Sequence, residues 1–253
     1  MVYSTNLALV LRILQRTERL PPFVLIILIL GAAKVKAITF IHLFNDPVAM
    51  LLLHGAVNMF LDDRWSLGSF LFSLGVSIKT NLLLFSPAIL IVYLLNLGLK
   101  KTFLQLAICA SLQLLLALPF LFHAPIPYFI ATFPFFQVFG QSESVNWGFV
   151  PQYVFESSWF SLSLTFAHIS TLLFCSFCGL KFLLKRKEHL QIPDTNIYSK
   201  IKRKLYSVQK NYKTNIRKLT KSEITNQIVF TLFFTNFVGV CFSPSLHSQY
   251  YCW

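Results

Sequence analysis

Four apolar blocks of near-spanning length, Leu82–Leu99, Phe103–Phe122, Ser158–Leu184 and Ile224–Phe242, most constrain what this chain can fold into. A helix needs ~20 apolar residues to cross ~30 Å of hydrocarbon. Within hydrocarbon every backbone polar group must be paired inside the protein, which leaves helices or closed barrels. Blocks of this length predict an all-α fold, a polytopic transmembrane helix bundle. Three weaker blocks, Pro21–Phe44, Val48–Leu61 and Trp65–Ile78, bring the total to about seven hydrophobic segments in a single transmembrane domain over residues 1–253. Val48–Leu61 and Trp65–Ile78 are short, and read as polar-interrupted spans or as a re-entrant pair.

Composition supports the same class. Charged residues make up 12% of the chain and apolar ones 55%, whereas a soluble domain carries about 25% charged residues. Residues 1–20 do not read as a signal peptide, because Arg12, Arg16 and Arg19 follow the apolar stretch where such a peptide has its basic residues first. They read as the tail of a helix entering a cytosolic turn. Of the five cysteines, Cys175 and Cys178 have CxxC spacing, but inside an apolar block and without a second pair. Packing explains them better than a metal or a disulfide framework. No metal site and no cofactor is expected, and the sequence contains no P-loop, GxGxxG, HExxH or nucleophile elbow.

Basic residues orient the bundle. Residues 181–221 hold 13 of the 22 Lys and Arg, and positive charge is retained on the cytosolic side, so this segment is expected to be a basic cytosolic loop. Alternation of spans then puts Lys100 and Lys101, the Asp62-Asp63-Arg64 turn, and Arg12, Arg16 and Arg19 on the cytosolic face as well. The opposite face collects Asn45-Asp46-Pro47, Lys79-Thr80-Asn81, a luminal loop over 123–157 and the C-terminal segment from Ser243. A nucleic-acid role for the basic loop lacks a folded recognition motif or aromatics arranged for stacking. Contact with anionic membrane lipid suits it better.

Polar groups at membrane depth are costly and mark candidate sites. Asn45 and Asp46, just before Pro47, fit a capped helix start, and also a carboxylate that orients sugar hydroxyls or pairs with a base. Lys79, with Asn81 two residues on, either snorkels to the interface or serves a phosphate. Asn146 and Trp147 lie in the luminal loop, where Trp anchors at the interface or stacks on a sugar. His247, Gln249 and Tyr250 follow the last block, where an imidazolium suits a phosphate. Pro125–Gly140 reads as an interfacial helix or a wall for a lipid tail. Lys34 and Lys36 interrupt the first span without a clear role. His54, Asn58 and His168 read as polar residues satisfied by neighbouring helices.

Four segments, "LFNDPVAMLLL", "DRWSLGSFLFSLGVSIKTNLLLFSPAIL", "VNWGFVP" and "NQIVFTLFFTNFVGVCFSPSLHSQYYCW", in this order resemble the dolichyl-phosphate-mannose-dependent α-1,3-mannosyltransferases of the endoplasmic reticulum membrane, of the GT-C group. The resemblance runs from about residue 20 to residue 253 and is weakest over 187–221. It implies a multi-pass enzyme of N-glycan precursor assembly. Its donor is dolichyl-phosphate-mannose and its acceptor a dolichyl-pyrophosphate-linked five-mannose oligosaccharide, with no metal. It also raises Asn45, Asp46, Lys79, Asn81, Asn146, Trp147, His247, Gln249 and Tyr250 as substrate-binding candidates. Members of the group carry an acidic residue in a first luminal loop as the base. That segment precedes the matched region, and further spans follow it, so the chain reads as N- and C-terminally truncated, with no catalytic residue assigned and little transferase activity expected of it alone. Asp46, Glu143 and Glu156 are luminal acids with no motif to make them replacements. The competing reading is a non-catalytic membrane protein that binds lipid-linked sugars or partner proteins. A transporter is disfavoured, since no inverted repeat is visible.

Overall fold

A computed structural model describes residues 1–21, 23–24, 45–132, 146–188 and 221–243. Among these residues the regular elements are helical. In chain order they are α1 (Val2–Thr17), α2 (Asp46–Leu61), α3 (Trp65–Ile78), a 3-10 turn (Thr80–Phe85), α4 (Ser86–Asn96), α5 (Leu99–His123), α6 (Pro125–Thr132), a single turn (Gln152–Phe155), α7 (Ser158–Glu188) and α8 (Lys221–Phe242). Three of them are long and apolar enough to cross a membrane: α5, α7 over Ser158–Ser176, and α8 over Ser222–Phe242. The 25 residues of α5 give about 37 Å at 1.5 Å per residue. Three shorter apolar helices lie at Asp46–Leu61, Trp65–Ile78 and Thr80–Asn96. The chain is therefore a helical membrane protein. Apart from Pro21, Phe23 and Val24, the Pro21–Phe44 block, with Lys34 and Lys36, lies outside the described residues.

One expected span is interrupted. Leu82–Leu99 is not a continuous α-helix: its first residues wind as the 3-10 turn and α4 begins at Ser86. Pro87 explains the break, because it lacks an N–H and is best tolerated in a first helical turn. The other end is closed by Gly98, whose φ of 78° is costly for any residue with a Cβ.

The described residues gather into two units, with α8 contributing to both. In the first, α2 is the central helix, and Ala49, Met50, Leu53, Ala56, Val57, Phe60 and Leu61 bury much of its circumference. Around it gather Ile13 of α1, Phe72 and Val76 of α3, Leu82, Phe85 and Tyr93 of the next segment, and Ile228 and Leu232 of α8. Phe60 stacks on Trp65 and meets Tyr93 edge-on, which closes the α2–α3 hairpin around its short turn. Gly68 lets α3 come close, since a Cβ there would collide with the Phe60 ring and lie 3.1 Å from the Ala56 carbonyl.

Polar contacts set direction and register. The Asn6 carboxamide oxygen lies 2.6 Å from His54 Nδ1, Asn58 Nδ2 donates to the Leu9 carbonyl at 3.1 Å, and Arg12 and Arg16 reach Asp62 at 3.1 and 2.5 Å. Both numbers climb together, so α1 and α2 run parallel. α3 and α5 are also parallel. Ser69 Oγ donates to Gln105 Oε1 (2.9 Å), Ser73 Oγ to the Cys109 carbonyl (2.9 Å), and Gln113 Nε2 to the Ser73 carbonyl (2.6 Å). This seam is polar, while Phe103, Leu114, Leu115 and Phe122 of α5 are exposed. Lipid is as apolar as leucine, so helices in it associate through small and hydrogen-bonding residues.

The second unit holds the turn at Asn146–Pro151, α7 and the end of α8 from Phe234. Phe160 of α7 packs edge-on to Trp147 and tilted to Phe155. His168 stacks on Phe242. Trp159, Leu162, Phe166, Leu173 and Phe174 of α7 are exposed, the composition a lipid-facing helix carries.

Candidate functional site

At the start of α2, Asn45 is the N-cap by position, yet its side chain makes no capping bond. Its backbone lies in the right-handed region, and its Nδ2 donates instead to the Ile78 carbonyl at the end of α3 (3.4 Å). Asp46 does not cap either. Its Oδ1 pairs with the Lys79 ammonium. The expectation of a capped helix start is therefore corrected: both side chains are spent on α3, because the hairpin brings its last residues alongside. The alternative weighed for Asp46, pairing with a base, is what the fold forms.

Burial of the pair is lopsided. The Asp46 side chain is 1% exposed and that of Lys79 16%. Asp46 Oδ2 is buried without a hydrogen-bond partner, although buried polar atoms almost always have one. Lys79 is extended, joining α3 to the 3-10 turn. Half-buried Asn81 sits in that turn. Asn45, Asp46, Lys79 and Asn81 thus come together at one end of the first unit. Arg12, Arg16 and Asp62 occupy the other, about 24 Å away along the 16 residues of α2.

The charge at that far end is organised differently. Burial raises the Asp62 carboxyl, but hydrogen bonds and charge from Arg16, then Arg12, outweigh it and hold the group below the usual carboxylate range. Ser222 and Asn226 of α8 both donate to the Thr17 carbonyl there, at 3.0 and 3.1 Å. Lys100 and Lys101 open α5 beside the Ser66 end of α3, to which Gln105 reaches (3.4 Å).

Asn146 and Trp147 belong to the second unit. Asn146 Nδ2 donates to the Val240 carbonyl (2.7 Å), and half-buried Trp147 lies against Phe149 and Phe160. Of the other acids expected on the luminal face, Glu156 accepts a bond from Gln152 (2.8 Å), while Glu143, His247, Gln249 and Tyr250 lie outside the described residues. Among the described residues no three His, Cys, Asp or Glu side chains cluster as a metal requires.

The α3–α5 seam was missed from sequence. Ser69 Oγ also lies 2.6 Å from the Tyr93 hydroxyl, and Cys109 Sγ donates to the Ser69 carbonyl at 3.4 Å. Its signal was present as Gln105, Cys109 and Gln113 at four-residue steps, one face of a helix.

A sequence profile of the ALG3 protein family matches residues 1–253. The chain belongs to the ALG3 protein family. A mouse relative named Dol-P-Man:Man(5)GlcNAc(2)-PP-Dol alpha-1,3-mannosyltransferase is 38% identical over 253 residues, covering 100% of this chain and 53% of its own length. Its human counterpart of the same name is 37% identical with the same coverage. A Drosophila melanogaster relative, Dolichyl-P-Man:Man5GlcNAc2-PP-dolichol alpha-1,3-mannosyltransferase l(2)not2, is 35% identical over 298 residues, covering 100% of this chain and 61% of its own. The chain thus spans between half and two thirds of the length of these family members. No solved structure matches it.

Proposed function

We propose that the protein to which this chain belongs transfers mannose from dolichyl-phosphate-mannose to a dolichyl-pyrophosphate-linked five-mannose oligosaccharide, forming an α-1,3 linkage in the lumen of the endoplasmic reticulum. The observation that carries this reading is membership of the ALG3 family along the whole chain, whose mouse and human members bear that activity in their names. The geometry supports it. Four of the candidate residues, Asn45, Asp46, Lys79 and Asn81, gather at one end of the first unit, and the arginines at the other. The positive-inside rule makes the arginine end cytosolic and leaves the Asp46–Lys79 end to the lumen.

In the reaction the acceptor 3-hydroxyl oxygen attacks the mannose anomeric carbon. The bond from that carbon to the phosphate oxygen breaks, the hydroxyl proton passes to a base, and dolichyl phosphate leaves with the electron pair. Inversion follows from attack opposite the leaving group. This chain would supply charge and orientation. The Lys79 cation offsets negative charge growing on the leaving phosphate, with His247, Gln249 and Tyr250 as further phosphate ligands. Asn45, Asn81 and Asn146 offer amides to sugar hydroxyls, and Trp147 a stacking face. Asp46, held by Lys79, is not assigned the role of base.

The test is transfer in microsomes from cells lacking the native enzyme, expressing the product of the complete gene. With labelled dolichyl-phosphate-mannose and the five-mannose acceptor, a six-mannose product whose new residue is released by an α-1,3-specific mannosidase is expected. Membrane-inserted protein that yields no such product would overturn the reading.

A further inference from the structure

We propose that Asp46 is a positioning residue that aims the Lys79 ammonium at the phosphate of a lipid-linked substrate. This rests on the transferase reading above and assigns one charged contact within it. The Asp46–Lys79 pair joins two helices already locked by a short turn and by apolar packing, so it is not needed to hold the hairpin. Buried ion pairs are weak stabilisers, and apolar residues of similar volume commonly serve as well or better. This pair is poorer still, because Asp46 Oδ2 is buried with no hydrogen-bond partner.

The burial gradient indicates what the pair faces. The Asp46 side chain is 1% exposed and that of Lys79 16%, so of the two the lysine is the more open to an incoming group. Asp46 sits in the first turn of α2, where the helix end stabilises its negative charge. It is therefore a fixed anchor, and the ammonium is the presented end. A sugar hydroxyl would seek the carboxylate, which is closed off, whereas a phosphate oxygen seeks the cation. Both the monophosphate of the mannosyl donor and the pyrophosphate of the acceptor carry that chemistry.

The experiment measures KM separately for donor and acceptor in membranes carrying the protein, together with thermal unfolding of each solubilised variant. Lys79→Met is expected to raise KM about tenfold or more for whichever substrate supplies the phosphate, the size of a lost charge-assisted bond, and to lower kcat as well where that substrate is the donor. Lys79→Arg recovers part of the loss. Asp46→Asn keeps the cation but loses its aim, so kcat falls more than KM rises. The double variant Asp46→Asn/Lys79→Met removes both buried charges. It is expected to unfold at the wild-type temperature and still show the raised KM. A double variant in which KM returns to normal along with stability would make the pair a structural clamp and overturn the inference, as would Lys79→Met with both KM values unchanged. In either case wild-type transfer leaves the broader reading standing. Wild-type membranes that transfer no mannose would remove the reading and this inference with it.

Discussion

At the residue scale the clearest lesson is how the fold uses two of its acids, Asp46 and Asp62. Asp62 is shared by Arg12 and Arg16, and its carboxyl is held below the usual range. A lowered carboxyl pKa adds stability above the unfolded value of about 3.9 and loses it as pH falls through the folded value. Asp62→Asn is therefore expected to lower stability by about 1 kcal/mol near pH 7. The gap between wild type and variant closes below about pH 4, as thermal unfolding in detergent at the two pH values will read. That Asp62 would find arginines was legible, since the turn and Arg12, Arg16 and Arg19 were assigned to one face. That Asp46 would choose Lys79 over its own helix was not. The choice depends on the register between helices 33 residues apart in sequence, which local capping preferences do not contain.

At the scale of elements, the α2–α3 contact depends on a missing side chain. Gly68→Leu would push against Phe60 and the Ala56 carbonyl, and overpacking of this kind costs about 1–3 kcal/mol. The thermal unfolding temperature is expected to fall accordingly. The α3–α5 seam makes a subtler case. Ser69→Ala leaves Tyr93 and Gln105 each short of a partner, at about 0.6–2 kcal/mol for a hydrogen bond between membrane helices. Gln105→Leu made in that background is expected to cost less than it does alone, because its partner is already gone. The existence and order of these helices were readable from apolar block length. The 3-10 start of Thr80–Asn96 is signalled in the sequence by Pro87 alone, inside a block that is otherwise largely apolar.

For the whole molecule, the charge pattern and the contacts of the first unit point the same way. Arginine and lysine collect at the end where α1 finishes and α5 starts. Asn45, Asp46, Lys79 and Asn81 collect at the other. Cysteines introduced at exposed Asp63 and Thr80 are expected to react from opposite sides of sealed microsomes, Asp63→Cys from outside and Thr80→Cys only after permeabilisation. Labelling of both from one side would dissolve the two-ended arrangement. The membrane class and four of the candidate residues sharing one corner were legible because they follow from solvation and charge, which act on sequence directly. The polar seams were not, because each depends on which helix faces lie opposite each other.

The Thr17 carbonyl accepts its bonds from Ser222 and Asn226, 205 and 209 residues later. At a synthesis rate of roughly 5–20 residues per second, about 10–40 s separate the two ends of that contact. The last turn of α1 must therefore wait, tended by water or by the insertion machinery, until α8 arrives to complete the contact.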